Sequence, residues 1–276
     1  MGSPLEVFSD LSERLHYNLP DFPLYVRKDE LRRYGYTAAC HWHTDLEFIL
    51  ALDGSMDYFV NGKTVHINAH NGIFVNSKRL HYGFSADKTD CSFLAVVINP
   101  VLLLESSPSI KTYLEKKFGG HTDDFLLLNP DSAWQKKALV LLSRIYDEMG
   151  NTRGGIRNPL RVLSRAVSLC ADMGDHIQPV SGNRIDDRTR AAVWKMTGFI
   201  HQHYDTRITL DDIAASGAVC RSKCCELFKK YAEQTPNTYL LRYRITQSRE
   251  MLRETNRTIS EISRGRQAAP EPAGPG

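Results

Sequence analysis

The feature that most constrains the fold is a pair of short helical patterns between Thr209 and Tyr231. Thr209 is a candidate N-cap with Asp212 three residues later, the arrangement of a capping box, and Gly217 ends the first helix. A second helix from about Arg221 places four apolar side chains on one stripe: Cys224, Leu227, Phe228 and Tyr231. Two short helices joined by a tight turn that contains glycine predict a helix-turn-helix, which lays its second helix in the major groove of DNA.

The polar face of the second helix supplies the candidate DNA contacts. We predict base contacts from Arg221, Ser222, Cys225 and Glu226, and phosphate contacts from Lys229 and Lys230. The net charge is +3, and its basic excess lies from residue 191 onward, whereas residues 1–190 are almost neutral. Double-stranded promoter DNA is therefore the expected partner.

The same pattern recurs downstream, where Thr258–Ser263 repeats the spacing of Thr209–Ala214. A helix at Val193–Tyr204, the unit at 209–231, a long helix begun by Thr235-Pro236 and this second unit together resemble the C-terminal DNA-binding domain of AraC-type transcriptional regulators. The resemblance implies a regulator that pairs such a domain with an effector-binding sensor domain, and whose sensor domains form dimers.

The second unit departs from the family pattern. Its recognition helix would fall near residues 270–280, where three prolines each remove a backbone donor: Pro270, Pro272 and Pro275. We therefore expect a DNA-binding domain at 191–263 with an incomplete second helix-turn-helix, truncated at its C-terminus. Residues 264–276 are the predicted disordered tail.

The N-terminal part contains short apolar runs with strand character. These runs are Leu46–Leu52, Asp57–Val60, Thr64–Ile67, Ile73–Asn76 and Ser92–Ile98. Asp53-Gly54 and Asn61-Gly62 are two-residue hairpin signals between them. The spacing predicts an antiparallel barrel or jelly roll over residues 1–99. The predicted fold class is thus α+β, with an N-terminal cupin-like β-barrel and helices followed by an all-α helix-turn-helix domain.

Histidines and a glutamate in this part have the spacing His41-x-His43-x3-Glu47, with His81 further on, and resemble the cupin motifs. In metal-binding cupins the matching positions converge on one divalent ion, and imidazole and carboxylate suit Fe, Mn, Ni or Zn. However, Asn76–Leu80 precedes His81 where Pro-x-Gly is usual, and AraC-type sensor domains often keep such a stretch with no metal established. We favour an effector pocket without metal or other cofactor, and a divalent metal is the alternative.

The predicted effector-binding residues are His41, His43, Glu47, Tyr58 and His81. Further aromatic walls are expected from Trp42, Phe48, Phe59, Phe74 and Tyr82. Such a lining suits sugars and many other small molecules equally.

From Pro100 the apolar periodicity becomes helical. One stripe is nearly a heptad seam: Ile156, Leu160, Leu163, Val167 and Cys170. We favour pairing of this helix with a second copy over packing against its own barrel, so residues 100–174 are the expected dimerisation region of a homodimer. The polar segment 175–190, with Pro179 and Gly182, is the predicted linker.

Composition excludes a membrane protein of the helical kind, because no segment approaches the roughly 20 apolar residues of a membrane span. The N-terminus lacks a secretory pattern, which predicts a cytoplasmic location. The leading hypothesis is a sequence-specific transcriptional regulator that senses a small molecule and is not an enzyme. A relative that binds ligand and dimerises without specific DNA binding is the first alternative, and a metal-dependent cupin enzyme is the second.

Overall fold

A computed structural model of the chain describes residues 5–8, 11–104, 107–149, 156, 158–180, 187–232 and 234–254. Contacts divide the chain into two compact units. The first comprises Met1–Val7 and Ser12–Arg184, and the second comprises Phe8–Leu11 and Ile185–Gly276. The repeat at Thr258–Ser263 and the predicted tail lie outside the described residues.

The first unit is an antiparallel β structure with helices on one side. Its strands are β1 (Glu6–Val7), β2 (Glu13–Arg14), β3 (Leu24–Glu30), β4 (Leu46–Val60), β5 (Lys63–Asn68), β6 (Gly72–Val75), β7 (His81–Phe84), β8 (Cys91–Ile98) and β9 (Phe125–Leu128). Its helices are α1 (Val101–Leu104), α2 (Pro108–Phe118), α3 (Ala133–Met149) and α4 (Pro159–His176). The main sheet has the order β3-β8-β4-β6-β9, while β5 and β7 pair with the second half of β4.

The long strand β4 corrects one prediction. Asp53-Gly54 is not a hairpin, because β4 continues through it with a register shift between Ala51 and Asp53 relative to β8. Gly54 has φ 73°, and a Cβ built there would lie 2.2 Å from the carbonyl oxygen of Asp90. Gly54 is therefore needed for an irregularity within the strand and not for a turn. The hairpin at Asn61-Gly62 is confirmed, with φ 47° and 90° and Val60 paired to Lys63.

The two faces of β4 belong to different apolar clusters. Leu46, Phe48 and Leu50 are buried in the cluster that includes side chains of α3 and α4. The alternate residue Ile49 lines an interior cavity, and so does Tyr58 from the far half of the strand. Because both halves of β4 line one cavity, the sheet folds over to enclose it, as the predicted barrel requires.

Helix α4 packs on a stripe beside the predicted seam. The buried residues are Val162, Ala166, Leu169, Cys170 and Met173. Leu160 and Val167 of the predicted seam are 75% and 46% exposed, and Leu163 is half-buried against the core. The helix therefore packs against its own unit with one face and leaves a second apolar edge in solvent.

The segment between α4 and the next helix is shorter than the predicted linker at 175–190. Helix α4 continues through His176, whose ring stacks on Trp134 with centroids 3.7 Å apart, and the next helix begins at Asp187. Pro179 forms a β-bridge with Thr122. The predicted linker positions 181–186 lie outside the described residues.

Within its described residues, the second unit contains four helices: α5 (Asp187–His203), α6 (Leu210–Ser216), α7 (Arg221–Ala232) and α8 (Pro236–Glu254). The capping box is present, because the Thr209 hydroxyl accepts from Asp212 N at 3.3 Å and Asp212 Oδ2 accepts from Thr209 N at 2.7 Å. Gly217 ends α6 as predicted, but its φ is −87°. Glycine is needed here because Met196 packs closely against this position: a Cβ would lie 2.6 Å from Cγ of Met196.

None of the helices in the described ranges combines the length and the apolar composition that crossing a bilayer demands.

Candidate functional site

A cavity of about 80 Å³ lies inside the first unit. Most of its lining is apolar and comes from β3, β4, β8 and the helical turn at Leu31–Tyr34. Six side chains bring polar atoms to it: Glu13, Tyr25, Tyr34, His41, Glu47 and Tyr58. An apolar chamber with a few convergent polar groups is typical of a small-molecule site.

The sequence-predicted cluster is assembled at one side of this cavity. His41, His43, Glu47 and His81 are all buried, and one donor atom from each lies within 4.8 Å of the others. Glu47 Oε2 is 3.0 Å from Nε2 of His43 and 3.2 Å from Nε2 of His81. The isolated bridge between His41 and His81 brings these two segments together.

Each of the three imidazoles is fixed through its other nitrogen. Nδ1 of His41 lies 2.8 Å from the Ala39 carbonyl oxygen, and Nδ1 of His81 lies 2.7 Å from that of Arg79. Nδ1 of His43 lies 3.2 Å from the carbonyl oxygen of Asp45. A carbonyl can only accept, so each Nδ1 carries the proton and donates it.

Arg79, which provides one of these carbonyls, is itself rigidly held. Its side chain is 2% exposed and its Nε donates to Asp124 Oδ1 at 2.7 Å. The guanidinium also donates to the carbonyl oxygens of Ser77, Gly119 and Thr122. The arrangement anchors the chain just before His81.

Burial and mutual charge set the ionisation of the cluster. Burial, with the neighbouring His81, lowers the pKa of His41 to about 3. Burial alone would raise the pKa of Glu47, but His81 and His43 outweigh it and hold that pKa well below its usual range. Burial likewise opposes a charge on His81, yet Glu47 raises the pKa of this imidazole above its ordinary value. The site is therefore strongly polar within an apolar shell.

Glu13 is a cavity residue that sequence reasoning missed. Its carboxylate Oε2 lies 3.5 Å from His41 Nε2, and its side chain is 8% exposed. Burial, reinforced by the charge of Glu47, raises the pKa of Glu13 to about 8. The residue comes from the two-residue strand β2, and no motif marks it in the sequence.

The predicted effector residues divide into two groups. His41, Glu47 and Tyr58 line the cavity, and the Tyr58 hydroxyl donates to Glu47 Oε1. His43 and His81 belong to the same cluster but are not among the lining residues. Two predicted wall aromatics, Phe48 and Phe74, lie instead in the cluster that faces the helices, with ring centroids 5.0 Å apart. The alternation of β4 and its partner β6 explains this placement, because neighbouring residues face opposite sides.

In the second unit, α7 has the two faces that the sequence predicts. Cys224, Leu227, Phe228 and Tyr231 are buried. On the other face Arg221, Ser222, Glu226, Lys229 and Lys230 are exposed and Cys225 is half-buried. All six predicted DNA contacts therefore lie on the solvent side of the helix.

Two of these side chains are engaged in ion pairs. Arg221 forms a two-pronged pair with Asp211 of α6, and both side chains are more than half exposed. Lys223 Nζ contacts Glu226 Oε1 at 2.7 Å. Sequence spacing alone does not show the first pair, which crosses the turn between the two helices.

Comparison with known proteins agrees with this geometry. Residues 24–118, which contain the cavity-forming strands β3 to β8, match the family model described as AraC-like ligand binding domain. Over these residues the chain is similar to the ligand-binding domain of AraC-type transcriptional regulators. One relative is the uncharacterized HTH-type transcriptional regulator YdeC of Bacillus subtilis (strain 168), 26% identical over 228 residues, which cover 81% of this chain and 76% of YdeC. The chain is therefore similar to transcription regulators that combine an effector-binding domain with a helix-turn-helix.

Other proteins in the comparison are more distant. The melibiose operon regulatory protein of Escherichia coli (strain K12) is 23% identical over 230 residues, which cover 81% of this chain and 74% of that protein. Among solved structures, ToxT from Vibrio cholerae aligns over 87% of this chain and 88% of its own, with 10% identity and a TM-score of 0.42.

Proposed function

We propose that this protein is a transcriptional regulator of the AraC type, that it binds promoter DNA in a sequence-specific manner, and that a small molecule in the cavity of the first unit controls this binding. The observation that carries the proposal is the helix α7, which buries its apolar stripe completely and leaves all six predicted contact residues on its outer face. A helix of this kind at the second position of a helix-turn-helix reads base edges in the major groove.

The residues on the outer face of α7 are suited to different kinds of DNA contact. Arg221 can donate two hydrogen bonds to guanine, and Asp211 pre-orients its guanidinium. Glu226 can accept from the cytosine amino group, while Lys229 and Lys230 at the end of α7 are placed for phosphates. Ser222 and Cys225 complete the reading face.

The test is fluorescence anisotropy of the full chain with the DNA upstream of its own gene and with a scrambled duplex, each at two salt concentrations. We expect tighter binding to the upstream fragment and a fall in affinity with salt, because phosphate contacts release counterions. Equal weak binding to both duplexes would contradict the proposal and would favour the alternative of a relative that binds ligand and dimerises without specific DNA binding.

Variants of α7 separate base reading from phosphate binding. Arg221→Ala should cost about 1 to 3 kcal/mol for the upstream fragment and relax specificity at one base pair. Lys229→Ala should weaken binding to both duplexes and reduce the salt slope by about one. Lys63→Ala, an exposed lysine of β5, is the matched control and should leave both affinities unchanged.

The cavity gives the proposed effector site its chemistry. Glu13, Tyr25 and Tyr34 line the chamber together with Glu47, so a small molecule with several hydroxyl groups would find several polar partners there. Sugars belong to this class, and one relative is named for a sugar operon. A thermal-shift screen of monosaccharides should give a rise in Tm that Glu13→Ala abolishes; a rise retained in Glu13→Ala would place the ligand elsewhere.

We further propose that the protein acts as a homodimer and carries no enzymatic activity. The exposed apolar edge of α4, formed by Leu160 and Val167 beside the half-buried Leu163, supports the dimer, since apolar edges of this kind pair in helical interfaces.

A further inference from the structure

We propose that the cavity of the first unit selects a positively charged effector, namely a compact hydroxylated molecule with a protonated amino group, and that Glu13 recognises this ammonium group. The inference rests on the proposed effector site and narrows its ligand class. Among the hydroxylated molecules that suit the site, it separates amines from neutral sugars and from acids.

The first argument concerns the charge of the side chains that line the cavity. Glu13 and Glu47 line it, and none of the lining residues in the described part of the chain is Lys or Arg. His41 lines it too, but its pKa is lowered to about 3, so this ring is neutral at physiological pH. An anionic ligand would therefore enter an apolar chamber in which no lining cation compensates its charge, and such burial is strongly unfavourable.

The second argument concerns the difference between the two glutamates. Glu47 Oε2 lies 3.2 Å from Nε2 of His81, and each of these two groups favours the charged form of the other. The Glu13 side chain is only 8% exposed, and among the described residues its one ion-pair contact is with the neutral His41, at 3.5 Å. Glu13 is therefore the buried carboxyl group with which a cationic ligand can pair.

Without a cationic ligand, a proton compensates the charge of Glu13. Burial and the charge of Glu47 raise the pKa of Glu13 to about 8, so the carboxyl group is mostly protonated at pH 7 and its O–H can donate to His41 Nε2. A bound ammonium group replaces this proton, which passes to the solvent. The exchange costs about tenfold in affinity at pH 7, and the contacts of the ammonium group have to exceed that cost.

The third argument concerns three aromatic rings that supply such contacts. Tyr25, Tyr34 and Tyr58 line the same cavity as Glu13. The Tyr34 hydroxyl donates to Asp29 Oδ2 at 2.5 Å and the Tyr58 hydroxyl donates to Glu47, so both hydroxyl protons are already used. These two residues can offer a ligand the ring and an accepting oxygen. An ammonium group consists of donors alone, and the quadrupole of an aromatic ring attracts it.

The test is isothermal titration calorimetry of the full chain at pH 7 with two matched series of ligands. One series is glucosamine, glucose and glucuronate, and the other is ethanolamine, ethylene glycol and glycolate. Within each series the charge changes from positive through zero to negative with little change in size. In at least one series we expect the amine to bind at least about tenfold more tightly than its neutral counterpart, and the acid to bind more weakly than both. Equal affinities of amine and neutral compound, tighter binding of an acid, or no binding of either amine would overturn the proposal.

A pair of glutamate variants assigns the preference to one side chain. Glu13→Gln removes the carboxylate and keeps the size of the side chain, so it should reduce the affinity for the amine to that for the neutral compound. Glu115→Gln changes an exposed glutamate of α2 in the same way and should keep the wild-type preference. A preference for the amine that persists in Glu13→Gln would contradict the role of Glu13. The comparison of ligands in the wild type does not depend on the folding of any variant.

The outcomes also distinguish this inference from the proposed function. A preference for the amine in a chain that binds upstream and scrambled DNA equally would refute only the proposed function. Specific DNA binding that responds to the neutral or the acidic member of a series, and not to the amine, would refute only the selection of a positive charge.

Discussion

Two glycines of the first unit share a left-handed conformation but differ in their surroundings. Gly54 has φ 73° and the Asp90 carbonyl oxygen 2.2 Å from a built Cβ, whereas Gly35 has φ 64° and nothing within 4 Å. We expect Gly35→Ala to lower the free energy of unfolding by about 1 kcal/mol through backbone strain alone. Gly54→Ala should cost about 1 to 3 kcal/mol more, because the strand must move away from Asp90. Urea denaturation of both variants measures the difference, and equal losses would contradict this account.

His201 makes the second unit sensitive to acid. Its ring stacks on Tyr243 at 3.9 Å and its Nε2 lies 3.0 Å from the Tyr239 hydroxyl. Burial lowers the pKa of His201 from 6.5 to about 4. Below about pH 6.5 the unfolded chain takes up a proton that the folded unit refuses, so stability falls as the pH drops towards 4, by roughly 3 kcal/mol in all.

Hydrogen exchange of residues 187–254 between pH 7 and pH 4.5 measures this loss within the second unit. His201→Phe keeps an aromatic ring against Tyr243 and removes the titrating group, so it should flatten the pH dependence. An unchanged slope in His201→Phe would assign the acid sensitivity to another group.

Individual site residues were predictable from sequence only where a local spacing marks them. The motif spacing identified His41, His43 and Glu47, and strand alternation accounts for the pair His41 and His43, which are two residues apart. Glu13 could not be found in this way, since its approach to His41 depends on a pairing between distant segments. The pair of Asp211 with Arg221 depends likewise on how the turn places α7 against α6.

At the scale of elements, the start of α6 depends on one side chain. Thr209 accepts from the backbone of Asp212 and closes the capping box. Thr209→Ala should destabilise the second unit by about 1 kcal/mol, seen as faster exchange of the amides in Leu210–Ser216. Thr206→Ala is the control, because the Thr206 hydroxyl only donates to the exposed carbonyl of His203, and it should have little effect. Equal effects of the two changes would contradict the role of the cap.

The elements also show why a turn signal can mislead. Asp53-Gly54 and Asn61-Gly62 are similar as dipeptides, yet only the second reverses the chain. The first lies where β4 leaves one set of neighbours for another, and close contact with Asp90 determines its glycine. Local sequence reports that a residue needs positive φ, but the reason lies in a segment far along the chain.

At the scale of the whole molecule, the edge of α4 predicts the assembly. Leu160→Glu and Val167→Glu place a charge on the exposed edge without touching the buried stripe at Val162 and Ala166. We expect the wild type to sediment as a dimer and each variant as a monomer at the same concentration. Leu127→Glu, on the 44% exposed side chain of β9, is the control and should remain dimeric. A monomeric wild type, or dimeric Glu variants, would contradict dimerisation through α4.

The order of a β-rich part followed by helices could be predicted because the apolar periodicity becomes helical near residue 100, and the polar segment 175–190 predicted a linker before the last group of helices. The division itself could not, since Phe8–Leu11 belongs to the second unit although it precedes the barrel. Apolar periodicity describes which face of a segment is buried, and it does not say which partner buries it.

Because side chains alternate along β4, this single strand separates the cavity from the apolar cluster that faces the helices. Glu47 faces the cavity on one side, and the next residue, Phe48, contacts the ring of Phe74 on the other. Phe74 in turn meets Phe118 of α2, with centroids 5.8 Å apart, within the cluster that also buries α4. An occupant of the cavity that displaces Glu47 would therefore also displace Phe48, and with it the apolar cluster against which the helices pack.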